Sequence, residues 1–220
     1  MWHKIKKFFL DLLFPIQCLG CGQSDGWLCQ NCWERIKINQ LVKIQADNEW
    51  SQFLAGVLVV ADYNQPLLQQ ILHNYKYNFI IDLNQEISQL IVKFLRQNHQ
   101  EEELDFDFII PVPLAKKRLI WRGFNQIEIL AREVASAFNW PCRPDLIKRR
   151  HAHPQVGLNA KERIRNVQGI FTINNVEVLK NKKILLIDDV LTTGATLGEC
   201  SKLLKEAGAK EVWGLVIAKG

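Results

Sequence analysis

Two carboxylates stand side by side at Asp188 and Asp189, directly after the apolar run Ile184, Leu185, Leu186 and Ile187. Small and hydroxylic residues follow: Thr192, Thr193, Gly194, Ala195 and Thr196. A continuous apolar run is the mark of a central parallel strand, buried on both faces. In open α/β sheets, ligands bind outside the carboxyl ends of such strands. Small residues with free N–H groups at a helix N-terminus cradle a phosphate monoester. The helix dipole adds about 0.3–1 kcal/mol. Threonine hydroxyls supply further donors, and Gly194 lets the backbone approach the oxygens. Adjacent carboxylates suit the vicinal hydroxyls of a ribose and can hold a hydrated Mg²⁺ nearby. They would repel a phosphate unless a sugar or metal lay between. An acidic pair at a strand end, or a GlyAlaThr turn, is common by chance. Their combination over residues 184–196 is specific, and it points to a phosphorylated ribose. The stretch has neither the GlyLysThr of a P-loop nor the GlyXaaGlyXaaXaaGly of a dinucleotide site.

A second constellation is metal-like. Cys18, Cys21, Cys29 and Cys32 form two CysXaaXaaCys pairs with seven residues between them. Each pair can offer two thiolates from one tight turn, and two pairs make the tetrahedral four-sulfur site of structural zinc. Gly20 and Gly22 ease the first turn. The short spacing favours a compact knuckle over a full ribbon. Two disulfides are the alternative, which a reducing compartment disfavours. The remaining cysteines, Cys142 and Cys200, read as buried or half-buried thiols without a special role.

The chain has 220 residues, 48% of them hydrophobic, and a net charge of +5. That is enough for one α/β domain plus a small appendage. Charge is uneven: residues 111–165 hold twelve Lys or Arg against four acids. This excess is either an anion-binding surface or a solvated basic face. The start has a basic end and apolar residues. However, Asp11 interrupts the run and no small-residue cleavage site follows. No stretch approaches the roughly 18 apolar residues of a transmembrane helix. A cytoplasmic protein is expected, with attachment to the inner face of a membrane an option for the first helix.

Hydrophobic periodicity places that amphipathic helix at residues 2–13, with Pro15 stopping it. A polar linker follows near residues 45–51. Strands are expected at residues 56–62, 106–113, 183–187 and 211–218, and helices at 66–75, 83–98, 127–138 and 197–207. Strands alternating with helices predict a mainly parallel sheet. Residues 148–166 show little periodicity and carry His151 and His153, a pair without further metal ligands nearby. Such a long loop is usually functional or mobile.

Residues 184–196 resemble the phosphoribosyl-pyrophosphate (PRPP) motif of type I phosphoribosyltransferases. Three more stretches are similar to the ComF/GntX family of phosphoribosyltransferase-like proteins. They are ProValProLeu at 111–114, ArgGlyPheAsnGln at 122–126, and ProGlnValGlyLeu with GluArgIleArgAsnVal between Pro154 and Val167. The cysteine cluster completes a resemblance that covers nearly the whole chain in order. It implies an α/β, type I phosphoribosyltransferase fold at residues 51–220, after an N-terminal helix and zinc module at 1–50. It implies that Asp188 and Asp189 hold the ribose and act in any catalysis, while Thr192, Thr193, Gly194, Ala195 and Thr196 hold the 5′-phosphate. The loop 114–118 would meet the pyrophosphate through Lys116, Lys117 and Arg118, with Arg122 nearby. Residues 149–165 would form a hood closing over PRPP, with Gln155 and Arg163 as contacts and the histidines as hood residues. Phe124, Leu130 and Ala131 read as core. Lys76 reads as a surface lysine, with a ligand-facing role as the alternative.

Two functions follow from the resemblance. One is a PRPP-binding protein of natural competence that works on or with single-stranded DNA, beside a helicase or uptake machinery. Trp121, Phe124 and Trp140 lie in or beside the basic segment and could stack on bases, although core packing is the commoner role of such aromatics. The other is a Mg²⁺-dependent phosphoribosyltransferase of nucleotide salvage or related metabolism, whose acceptor base no segment identifies.

Overall fold

The computed structural model describes residues 16–24, 26–40, 43–44, 51–78, 80–98, 104–149 and 169–220. The expected first helix, residues 45–50 of the linker, the acidic run 101–103 and, of the hood expected at 149–165, all but Arg149, with His151, His153, Gln155 and Arg163, lie outside them.

A five-stranded sheet organises the chain. Its strands are β1 (Lys43–Ile44), β2 (Gly56–Asp62), β3 (Phe108–Pro111), β6 (Lys183–Leu191) and β7 (Glu211–Lys219), in the order β1-β2-β7-β6-β3. Four strands are parallel, and β1 pairs antiparallel to β2 at the edge. A separate hairpin pairs β4 (Ile147–Arg149) with β5 (Phe171–Ile173). The helices are α1 (Gln30–Glu34), α2 (Pro66–Tyr77), α3 (Leu83–Asn98), α4 (Lys116–Arg122), α5 (Gln126–Phe138) and α6 (Ala195–Glu206).

Alternation along the strands divides the core in two. Leu58, Val60, Ile109, Leu185, Ile187, Leu215 and Ile217 face α2, α3 and α5. Val57, Val59, Ile110, Ile184, Leu186, Val212 and Val216 face α6 and the hairpin. Both faces are covered, which is why these strands read as unbroken apolar runs. The expected core residues Leu130 and Ala131 are fully buried. Phe124 is half-buried and lies outside both clusters.

Two segments differ from expectation. First, β6 runs on to Leu191, pairing Val190 with Ala218 and Leu191 with Lys219, so Asp188 and Asp189 sit on the strand itself. Charge at those positions looks like a strand end, but the ladder with β7 continues. Second, the segment expected as a loop at 114–118 is helical from Lys116, because Pro113 ends the extended run and Ala115 caps a new helix. Trp140, as the commoner of its expected roles has it, is a core residue. It is 8% exposed, stacks on Phe138 at 4.6 Å and donates its indole N–H to Asp105.

The N-terminal cysteine segment is fused to this body. Ile38 bridges to Ala61, and Gln65 exchanges two hydrogen bonds of 2.8 Å with the backbone of Lys37. Trp27 donates to Asp82, and Trp33 donates to the carbonyl of Glu86.

A buried polar knot joins α2, α3 and α5. The Tyr75 hydroxyl lies 2.9 Å from both Asn84 Oδ1 and the Gln126 carbonyl. Asn84 and Ser88 both donate to Glu133. Replacing Tyr75 by Phe removes the one hydroxyl proton that these buried acceptors share, a loss of about 1–3 kcal/mol. At about 2–4 °C per kcal/mol for a chain of this size, thermal denaturation should register a clear fall in Tm.

Candidate ribose-phosphate site and cysteine module

At the carboxyl end of β6, Asp188 Oδ1 accepts the N–H of Asp189 at 2.8 Å, and Asp189 Oδ1 accepts the N–H of Val190 at 2.6 Å. Each carboxylate is thus pinned by one oxygen. Among the described residues, neither Oδ2 has a hydrogen-bond partner. Each acid thus keeps one open acceptor oxygen, the kind of group a sugar hydroxyl donates to. Hard open carboxylate oxygens also fit a hydrated Mg²⁺.

The chain then turns through Thr192 and Thr193 into α6. Gly194 takes a left-handed φ of 75° as N-cap, a conformation that costs a residue with Cβ. Thr193 Oγ1 accepts the N–H of Ala195, and the first turn carries no acid. The positive end of the helix therefore stays unneutralised by its own residues. The acid pair and this helix start lie a few residues apart in the chain.

Cations converge on the acids. Lys76, at the end of α2, places its ammonium 3.0 Å from Asp189 Oδ1. Its side chain is 22% exposed, so it is not the free surface lysine expected. Burial is the largest influence on both Arg122 and Arg149 and holds each guanidinium below its ordinary range, with Arg118 adding repulsion; Asp189 and Asp188 respectively act in the opposite sense. Lys76, Arg118, Arg122 and Arg149 thus outnumber Asp188 and Asp189 by two, a surplus suited to a polyanionic ligand. Arg149 sits over the Phe171 ring at 5.4 Å, directly across the β4–β5 ladder.

Arg122, expected near the pyrophosphate, also has a structural part. It donates to the Lys76 carbonyl at 2.6 Å and to Gln126 Oε1 at 2.5 Å. Gln126 donates to the Tyr75 carbonyl, and Asn125 caps α5 by accepting from Ile127. The ArgGlyPheAsnGln stretch ties the end of α2 to the start of α5. Lys116, Lys117 and Arg118 are all exposed on α4, a helix that buries none of its residues. Leu119, Ile120 and Trp121 are exposed beside them, Trp121 at 66%.

The four cysteines also come together. Their sulfurs all lie within 4.8 Å of one another, and Cys21 and Cys29 are 3.7 Å apart. Zinc with Zn–S bonds of about 2.3 Å needs edges of about 3.8 Å, so the set fits the ion. N–H groups of Gly20 and Cys29 point at Cys18 Sγ from 3.4 and 3.3 Å. Burial raises the Cys18 thiol, but the N–H groups of Cys29, Gly20 and Cys21 outweigh it and draw it down to about 6. A Cβ on Gly20 would stand 2.6 Å from Cys32 Sγ, so the close packing of the site requires glycine there. Cys200 is fully buried and Cys142 half-buried.

A β-strand, an acidic pair and a small-residue helix start, set in a parallel sheet, define a phosphoribosyl transferase domain, and the model of that domain matches residues 123–219. The double zinc ribbon domain model matches residues 9–42, where four cysteines suffice for one four-sulfur site. Competence protein F of Haemophilus influenzae is 30% identical over 213 residues, covering 93% of this chain and 86% of that protein. Competence protein ComFC of Streptococcus pneumoniae is 30% identical over 227 residues, 90% of this chain and 97% of that protein. DNA utilization protein YhgH of Escherichia coli is 28% identical, with 89% and 86% covered. The chain belongs to the family of competence protein F and ComFC.

Two expectations follow. Burial, then the neighbouring Asp189 charge, pushes the Asp188 carboxyl up to about 7 from 3.8, although the Asp189 N–H, Lys76 and Arg149 oppose them. Between those values the folded chain binds a proton that the unfolded chain has released, so Asp188 costs stability as pH rises through the window. Asp188→Asn should therefore raise Tm at pH 8, and the gain should vanish at pH 4; equal gains at both would contradict the assignment. Separately, Cys29→Ala should abolish the signal of about one zinc per chain in native mass spectrometry. It should also shift tryptophan fluorescence to the red, since Trp27 and Trp33 flank the module.

Proposed function

We propose that this chain binds 5-phosphoribosyl pyrophosphate at the end of β6 and acts with single-stranded DNA in DNA uptake. The observation that carries the first half is the pair of open carboxylate oxygens on Asp188 and Asp189, one turn of chain before the start of α6. In this reading the acids take the ribose hydroxyls, and Thr192, Thr193, Gly194, Ala195 and Thr196 take the 5′-phosphate. Arg118 and Arg149 face the pyrophosphate, with Lys116 and Lys117 at the rim. Magnesium would be held through water by the two acids and would neutralise charge on the pyrophosphate. Gln155 and Arg163 would reach the ligand from residues 150–168.

The second half rests on α4 and on the family. A helix with three consecutive cations and an exposed tryptophan, buried nowhere, matches the pairing of phosphate neutralisation and base stacking used on single strands. The relatives are named for competence and DNA utilization. Among the described residues no helix is long and apolar enough to cross a membrane. A cytoplasmic chain working beside a membrane-bound uptake machine and its helicase accommodates these features.

Transfer of the phosphoribosyl group to a nitrogen base is the second reading, favoured by the same acid pair and cation surplus. Release of pyrophosphate across a panel of bases would reveal it.

The double variant Asp188→Asn, Asp189→Asn should lose Mg·PRPP binding in calorimetry and retain single-stranded DNA binding. Affinity for DNA should fall with salt by a log–log slope of about −0.7 per neutralised phosphate. Replacing Lys116 and Lys117 by Ala should flatten that slope, and Trp121→Ala should weaken binding without changing it. A wild-type slope near zero rules out the DNA half, and unaltered PRPP binding by the double variant rules out the site.

A further inference from the structure

Lys76 belongs to none of the motifs, yet it makes the ion pair of the pocket. Asp189 Oδ1 is shared between the Val190 N–H at 2.6 Å and the Lys76 ammonium at 3.0 Å. The lysine does not reach this oxygen from a loose end. It is the penultimate residue of α2, where the last helical carbonyls lack partners within the helix. Arg122 fills that need at the Lys76 carbonyl, and Gln126 does so at the Tyr75 carbonyl. Tyr75 is itself buried between Asn84 and Gln126. The root of the lysine is therefore held by two side chains from the next helical pair, and only its stem is free to adjust.

We propose that Lys76 is a positioning residue of the ribose site, with two effects. It fixes one oxygen of Asp189 so that the other faces the sugar. It also serves as resident counter-ion, so that the acid pair takes up a divalent cation together with the sugar phosphate and not before it. The proposal rests on the reading of the pocket as a PRPP site. Without Lys76, two neighbouring carboxylates would form an attractive site for a free divalent ion. With the ammonium already on Asp189, a free dication meets repulsion at close range. A metal that arrives on a diphosphate is masked by the negative charge of its carrier, and the same ammonium then attracts the complex. The side chains of Lys76 and Asp189 are 22% and 26% exposed, sheltered from solvent but not sealed. Such a pair adds little to stability, so its loss should be read in binding and not in folding.

Full-length, zinc-loaded wild type, Lys76→Met, Lys76→Arg, Asp189→Asn and the double variant Lys76→Met, Asp189→Asn provide the test. Mn²⁺ binding without sugar phosphate, followed by electron paramagnetic resonance, should tighten about tenfold in Lys76→Met, the size of a screened unit charge at contact. It should stay near wild type in Lys76→Arg. Calorimetry with Mg·PRPP should show the reverse order: about tenfold weaker for Lys76→Met, partial recovery for Lys76→Arg, and no further loss when Lys76→Met is added to Asp189→Asn. A purely structural role would not tighten Mn²⁺. Should Lys76→Met melt well below wild type, Lys76→Gln carries the same measurements. If wild type binds Mg·PRPP and Lys76→Met binds it equally, the positioning role is overturned. Equal Mn²⁺ affinity overturns the counter-ion role. Failure of wild type to bind Mg·PRPP overturns instead the reading of the pocket.

Discussion

Two carboxylates on consecutive residues at the end of a buried parallel strand create an electrostatic problem that the surrounding structure must answer. Burial and mutual repulsion both oppose ionisation, and at Asp188 they prevail over the opposing hydrogen bond and cations. The cations come from elsewhere in the chain: Lys76 from α2, Arg122 from the end of α4 and Arg149 from β4. None is close in sequence to the acids. Each arrives because a separate packing interaction places its element, so the pocket depends on the whole α/β layer and not on one loop. The acid pair holds an unfavourable electrostatic interaction, and perturbed acids of this kind cluster at functional sites.

The helix α2 has an unusual place in that answer. One end is clasped by Gln65 to the backbone of Lys37, and Leu67 lies against Gly20 of the cysteine turn. The other end is held by Arg122 and Gln126 and carries Lys76 to Asp189. Twelve residues at 1.5 Å per residue make a rod of about 18 Å, which joins the cysteine module to the sugar site. A small segment that gains little from its own core is stabilised by metal ligation, and α2 ties it to the acid pair of β6.

Much of this was legible from residue patterns. The apolar runs of β2, β6 and β7 announced strands covered on both faces, and the two CysXaaXaaCys turns announced a shared metal. The start of α6 could be read from Gly194 and the small residues around it, since few other residue types allow that backbone and that approach. Local signals misled where a long-range partner overrode them. Asp188 and Asp189 looked like the end of a strand, but the ladder to β7 carries β6 past them. Lys116 and its neighbours looked like a loop after proline, but no partner holds that segment extended and it coils into α4. Trp140 could be read as a stacking or a core aromatic, and Phe106 and Phe138 enclose it. Nothing local distinguishes it from Trp121, which is exposed.

The sequence by itself determined the chemistry on offer: an acidic pair, a phosphate-type helix start, four thiolates at zinc spacing and a basic middle segment. Those are properties of residue type and short spacing, which the chain carries into any fold. Only the tertiary structure decided which charges meet. Lys76 lies more than a hundred residues from Asp189, and Arg122, marked by its motif as a ligand contact, also holds the Lys76 carbonyl. Coulomb energies depend on distance and enclosure, and neither is defined until the sheet, α2 and α5 have packed. The ribose-phosphate motif was therefore readable in the chain, while its counter-ions were assembled by the fold.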